Sequence, residues 1–296
     1  IYEAPISFYK EKLDQQVLDY FKLKSKRKPN LLPWKKITKT ILNSKASINI
    51  AIIGKYVNLK DAYKSLDEAL THGGIKNNIK INLIRVESDY LKPLQIKKKL
   101  LGVHGILIPG GFGKRGTEGK IAAITYARTK KIPFLGICFG MQMAVIEFAR
   151  NVLKIKKASS TEISDNCIPI VGLIDEWTKN GKIQKGTSKN LGGTMRLGLY
   201  PAKLKESSLI KRIYKSKTIA ERHRHRYEVN INYQNDFEKN GMLFSGISPD
   251  NKLPEVIEIK KHPWFVGVQF HPEFKSRPLF PHPLFSSFIA AAKKNK

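Results

Sequence analysis

The sequence predicts an α/β fold: an open, mostly parallel sheet with helices on both faces and extra antiparallel strands in the C-terminal half. Three observations predict it. From Ile48 on, apolar runs of strand length alternate with segments of helical period, joined by short connections. Several of these runs are apolar at nearly every position, as strands covered on both faces must be. Beyond Ile168, strand-like runs become the richer component. Strand and helix in alternation give a parallel sheet, and consecutive strands give antiparallel additions to it.

Taken in order, "INIAIIGKY" (48–56) reads as a buried strand and "DAYKSLDEALTHGG" (61–74) as a helix that stops at Gly73-Gly74. A second strand follows in "IKINLIRV" (79–86) and a third in "GILIPGG" (105–111). The amphipathic "TEGKIAAITYARTKK" (117–131) is a helix, "IPFLGI" (132–137) a fourth strand, and "MQMAVIEFARN" (141–151) the next helix. The chain ends in the strand-rich "EVIEIKKHPWFVGVQFHPEF" (255–274) and a helix in "PLFSSFIAAAKK" (283–294). Residues 1–45 differ. Their first part suits one or two short helices, and the basic "KSKRKPNLLPWKKI" (24–37), punctuated by Pro29 and Pro33, reads as a linker. The expected division is therefore 1–45, the tail of another unit plus a linker, and 46–296, one domain. Ile1 in place of methionine suits a fragment of a longer protein.

Lys and Arg total 54 of the 296 residues against 24 Asp and Glu, a formal charge of +30. Only 11 of these cations are arginine, and the lysines are spread along the whole chain. No recognition helix, RRM or zinc-finger pattern accompanies them, so no specific nucleic-acid partner is expected. Abundant Asn, Ile and Lys fit the residue bias of an AT-rich genome. No apolar run approaches the roughly 20 residues that cross a bilayer, and no signal peptide opens the chain. Two distant cysteines, Cys138 and Cys167, offer neither a disulfide framework nor a metal cluster, which suits a reducing cytoplasm. No metal site is expected, and Cys167 is read as structural.

"GICFG" places Cys138 where a strand gives way to a helix, in the G-x-nucleophile-x-G form of a nucleophile elbow. Gly136 and Gly140 leave room for a turn that lifts the nucleophile clear of the sheet. The helix N-terminus behind it stabilises negative charge. A lone G-x-C-x-G is equally a buried core cysteine. "VGVQFHPEF" tips the balance. A thiolate attacking an amide needs a base that later protonates the leaving amine, and His271 has that chemistry. Glu273 can fix its tautomer, since residues two apart on an extended segment share a face. Gly111, Gly113 and Gly116 also satisfy G-x-G-x-x-G, the dinucleotide fingerprint, but the acidic residue expected at the next strand end is missing. "FGKRGTEG" is read instead as a loop and mobile lid.

"GGFGKRG", "GICFGMQ" and "QFHPE", in this order on an alternating α/β pattern, resemble the three signature segments of class I, triad-type glutamine amidotransferases. "GKYVNLKDAYKSLDEALTHGG", "LGGTMRLG" and "ERHRHRYEVN" are similar to one branch of that family. In that branch the glutaminase domain is fused to a synthetase domain that aminates UTP. The likeness runs from near Ile48 to the C-terminus. It implies a catalytic Cys138, His271 and Glu273, and an oxyanion hole from the backbone N–H groups of Gly111 and Phe139. Phe139 stands where many relatives have leucine. L-Glutamine contacts are implied at Gly111, Phe139, Gly140, Met141, Gln142, Glu162 (α-amino group) and Arg226 (α-carboxylate). Strand alternation puts Arg222, Arg224 and Arg226 on one face and His223 and His225 on the other. The resemblance further implies no cofactor in this fragment, and ATP, UTP and Mg2+ at the missing synthetase domain. GTP as an allosteric activator and a homotetramer when full length are implied as well. An amidotransferase serving another synthetase and a non-catalytic assembly domain stand as alternatives.

Overall fold

The computed structural model describes every residue except 26, 58, 60, 174–175, 180–181 and 186–194; side chains at 93, 176–179 and 182–185 are also left out. The expected "LGGTMRLG" segment thus lies half outside the described residues. Strand β1 (Ser47–Gly54) shows why the sheet forms where it does. Ile50 and Ile52 point to one side and Ala51 and Ile53 to the other, all fully buried. A run that is apolar at both parities has no face to offer water, so helices must cover both.

They do. On one face, α4 (Lys64–Lys76) and the C-terminal α10 (Pro283–Lys294) bury Leu66, Leu70, Phe285 and Phe288 against Ile50 and Ile52. On the other, α6 (Thr117–Lys130) and α7 (Phe139–Asn151) bury Ile121, Ile124, Met141 and Val145 against Ala51, Ile53 and the next strand. Each such side chain contributes roughly 1.5–3 kcal/mol of transfer free energy. Between α6 and α7, the fully buried Glu147 carboxylate accepts two hydrogen bonds from Arg128 Nε and one from its Nη2, at 2.7–3.1 Å.

The parallel part of the sheet comprises β1, β2 (Lys80–Glu87), β3 (Gly105–Ile108), β4 (Phe134–Ile137) and, far along the chain, β14 (Phe265–Val268). Antiparallel additions are β9 (Arg196–Leu204), β10 (Thr218–His225), β12 (Met242–Ile247) and β13 (Pro254–Ile259). The strand order is β10-β9-β12-β13-β14-β4-β3-β1-β2. A smaller sheet joins β5 (Ala158–Ser160), β6 (Ile168–Leu173) and β11 (Tyr227–Val229), and β7 (Glu176–Lys179) pairs with β8 (Lys182–Lys185). The expected mixed α/β architecture is the observed one. Because β2 and β3 lie on opposite sides of β1, a crevice opens beyond the carboxyl ends of β1 and β3.

Two local expectations are corrected, and the structure adds detail to a third stretch. Helix α4 does not stop at Gly73-Gly74 but runs on to Lys76. A Cβ on Gly73 would stand 2.9 Å from the Phe285 carbonyl oxygen, so the glycine admits α10 rather than ending a helix. The linker-like residues contain α3 (Leu32–Asn43), with Pro33 in its first turn, where its missing N–H costs nothing. Short helices α1 (Ala4–Lys10) and α2 (Leu13–Tyr20) precede it, and α5 (Pro93–Lys99), α8 (Leu209–Tyr214) and α9 (Gln234–Lys239) complete the set. Finally, the presumed extended path through His271 and Glu273 is a 3-10 turn, Pro272–Lys275, with His271 at its N-cap. Among the described residues no helix is long and apolar enough to cross a membrane.

Candidate active site

Four strand ends build the site. At the end of β4, Cys138 has φ +51° and ψ −104°, a conformation that costs of order 1–3 kcal/mol for a non-glycine residue. Its N–H donates to Val268 O at 2.7 Å and its carbonyl accepts from Gln142 N at 3.2 Å, which fixes the turn between β14 and α7. The Phe139 N–H is the first of α7 and has no helical acceptor behind it.

At the end of β14 the chain turns back over Cys138. The His271 N–H donates to Arg222 O of β10 at 2.8 Å. His271 Nδ1 meets Glu273 Oε1 at 2.8 Å, and the two side chains are 12% and 11% exposed. The 3-10 turn achieves this contact: it folds the carboxylate back onto the ring two residues earlier. His271 Nε2 is buried and has no conventional hydrogen-bond partner among the described residues. Across from it stands Cys138. A Cβ added to Gly110 would lie 2.9 Å from His271 Cε1 and 3.7 Å from Cys138 Cβ, so imidazole and thiol flank the same point. Burial pulls the His271 pKa down, but the Cys138 sulfur and then Glu273 outweigh it and raise it to about 10. The imidazolium is therefore the form held at neutral pH.

At the end of β3 runs the loop Gly110–Gly113. Gly111 neighbours Phe139, whose Cδ1 would be 3.9 Å from a Cβ on it. Gly113 and Gly116 both adopt φ near +71°, left-handed turn conformations. Glu162, just after β5, accepts a hydrogen bond from Gly113 N at 2.7 Å. Burial raises the Glu162 carboxyl pKa, opposed by that hydrogen bond and by Lys55 and Lys120. Gln142 is buried one turn into α7, with Nε2 donating to Tyr227 O at 2.9 Å and Gln269 Oε1 at 3.2 Å. Arg226 is half-buried at the bend between β10 and β11 rather than on the strand. The alternation expected for "RHRHR" holds for exposed Arg222 and Arg224 and buried His223 and His225, and ends there. Burial first, then Glu162, raises the Tyr227 phenol pKa while Arg226 lowers it, so these three residues share one field. Gly140 and Met141 lie deeper, against β3 and β14, where only their backbone can face a ligand. Cys167 stands apart, its thiol donating to Ser164 O at 3.1 Å.

Several residues beside the site carried no clear sequence signal. Gln269 Nε2 donates to Cys138 Sγ at 3.7 Å; its place two before His271, just past the end of β14, was the available hint. His223 Nδ1 lies 2.9 Å from His225 Nε2 beneath the site. Burial, and next the Arg196 charge, push both pKa values well below the ordinary range. Arg196 itself donates to Glu228 and Glu255, each at 2.8 Å. Two lysines, Lys55 and Lys120, bring their ammonium groups over the Phe139 ring, 5.7 and 4.7 Å from its centroid.

Lys120 gives a prediction. Only 1% of it is exposed, and burial, then Lys55, lower its pKa to about 7. A group whose folded pKa falls below its ordinary 10.5 binds more protons unfolded between those values, so stability rises with pH from about 7 to 10.5. K120M removes the cost of the buried charge. The variant is expected to melt higher than the parent at pH 6, with the gap shrinking by pH 9. An equal or lower melting temperature at pH 6 refutes this.

The comparisons agree with this architecture. A family model described as glutamine amidotransferase class-I matches residues 58–291. The chain is 72% identical over 296 residues to the CTP synthase of Pelagibacter ubique, covering 100% of this chain and 55% of that protein. It is 55% identical to that of Rhizobium johnstonii, covering 99% and 54%. The chain thus spans about half the length of the curated relatives it matches. Among solved structures, the glutaminase domain of Trypanosoma brucei CTPS with bound acivicin superposes with a TM-score of 0.75 at 37% identity, covering 84% of this chain and 95% of that one. A match over most of its length, and a close relative covered almost end to end, place the chain among the class-I glutamine amidotransferases, in the branch of the CTP synthase glutaminase domains.

Proposed function

We propose that this chain hydrolyses L-glutamine at Cys138 and supplies ammonia to a synthetase domain of the same polypeptide, which aminates UTP to CTP with ATP and Mg2+. The observation that carries the reading is His271 held between the Cys138 sulfur and the Glu273 carboxylate at one rim of the sheet. With the proton resting on His271, the Cys138 sulfur attacks the side-chain carboxamide carbon of glutamine. The oxygen gains negative charge, and the N–H groups of Gly111 and Phe139 face it. His271 passes its Nε2 proton to the amide nitrogen, the C–N bond breaks, and ammonia leaves a glutamyl thioester. Water then attacks the thioester, His271 takes its proton, and glutamate departs with the sulfur restored. Glu273 stabilises the imidazolium throughout.

Glu162 receives the substrate α-ammonium and Arg226 its carboxylate, with Gln142 and the backbone at Gly140 and Met141 shaping the wall. Residues 1–45 are the end of the synthetase domain and its linker, and 46–296 the glutaminase. Cytoplasmic reaction, GTP activation and tetrameric assembly belong to the same reading. A diazoketone analogue of glutamine, applied to the full-length polypeptide, is expected to label Cys138 once per chain and to be blocked by glutamine. Labelling at Cys167 instead, or labelling that glutamine does not slow, overturns the proposal.

A further inference from the structure

We infer that Lys55 is a positioning residue for the loop carrying Gly111, an inference that rests on the reading of that loop as an oxyanion site. Lys55 is the first residue after β1, on the opposite side of the crevice from the loop that follows β3. Its buried side chain spans that gap. Nζ donates to the carbonyls of Phe112 and Gly113, the latter at 3.1 Å. From the other side, Glu162 Oε1 holds the Gly113 N–H at 2.7 Å. Cation and carboxylate thus grip the two opposite polar groups of the Phe112–Gly113 peptide, and the cation also holds the carbonyl of the next.

The grip bears on catalysis because peptide planes are rigid. Fixing the Phe112 carbonyl fixes the plane it shares with the Gly113 nitrogen, which leaves only the Gly111–Phe112 plane between this anchored peptide and the one that carries the Gly111 N–H. Glycine at 110, 111 and 113 supplies no side chain to restrain that stretch. An ammonium with three donors can serve two carbonyls and the face of Phe139 at once. Phenylalanine in place of leucine at 139 therefore has a structural consequence: its ring is the floor on which the Lys55 and Lys120 ammonium groups sit. Because Glu162 is also the proposed seat of the substrate ammonium, glutamine arriving there meets a carboxylate already tied to the loop.

The test compares K55M, K55Q and K55R with the parent in the full-length polypeptide. Losing a preorganised oxyanion site costs on the order of a hundredfold in kcat, so K55M is expected to fall by about that factor with KM changed less than about threefold. Alkylation of Cys138 by iodoacetamide, which needs no oxyanion site, is expected to stay within about twofold, and amide exchange over 109–116 to accelerate at least about tenfold. K55R, which can reach both carbonyls, is expected to recover most of kcat, and K55Q, with a shorter donor, to lie between. Unchanged exchange over 109–116, a loss confined to KM, or kcat and alkylation falling together refutes the assignment. Should K55M not fold, the K55R and K55Q order decides. If the parent itself fails to hydrolyse glutamine, the proposed function falls, while the exchange measurement still tests the clamp.

Discussion

C138A is expected to lower glutamine hydrolysis by about ten-thousand-fold or more in the full-length polypeptide, the scale of loss when a covalent nucleophile is removed. Synthesis from free ammonia is expected to stay within about twofold of the parent, because the substitution deletes one sulfur and leaves the fold alone. Cys138 is buried in the cluster on the α4 and α10 side of the sheet, and alanine in its place removes only the sulfur atom. A second readout is independent of turnover. The sulfur is the largest of the influences raising the His271 pKa, with Glu273 next, so in C138A that pKa is expected to drop from about 10 toward the ordinary 6.5. The stability linked to the raised value is fully present below pH 6.5 and disappears as pH rises through about 10. The variant is therefore expected to lose stability relative to the parent at pH 6 and to match it more closely above pH 10. Equal loss of glutamine-dependent and ammonia-dependent synthesis refutes the role of Cys138, and an unchanged His271 titration refutes the pairing.

What the sequence made legible was whatever depends on neighbours along the chain. The run around Ile50 and Ile52 had to be a strand buried on both faces, and "PLFSSFIAAAKK" matched α10 residue for residue. Glycines at 136 and 140 marked a tight strand-to-helix turn, and the strained backbone of Cys138 lies between them. The Gly73-Gly74 pair misled because glycine marks two different needs, a chain end and a close approach, and only the position of α10 distinguishes them. Contacts between distant segments were not legible. Lys55 meets the loop after β3 only because β3 lies beside β1, and Gln269 meets Gln142 only because β14 lies beside β4. "RHRHR" predicted its alternation but not the bend that takes Arg226 off the strand, since a period of two says nothing about where a strand ends. The pairing of His271 with Glu273 was expected from spacing, yet a 3-10 turn rather than extended chain produces it.

A large loss of stability is expected at Gly140, where G140A asks for space that neither neighbour can yield. A Cβ there would land on the Ile108 carbonyl oxygen, well inside van der Waals contact, with the carbonyl carbon 3.0 Å away. Ile108 cannot retreat. It lies in β3, hydrogen-bonded between β1 and β4, and its cross-strand neighbour is Gly136, the other glycine of the elbow. Helix α7 cannot retreat either, because every residue from Phe139 to Ala149 is buried and the Cys138 N–H ties its start to Val268. Overpacking usually costs about 1–3 kcal/mol when side chains can adjust; a clash between two held backbones belongs above about 4 kcal/mol. For a chain of this size that lowers the melting temperature by roughly 10 °C or prevents folding. G172A is the control: a Cβ on Gly172 meets nothing within 4 Å, and the change is expected to stay within about 0.5 kcal/mol. If G140A melts like G172A, α7 can move off the sheet, and the tight turn invoked to raise Cys138 toward His271 is not what holds the nucleophile in place.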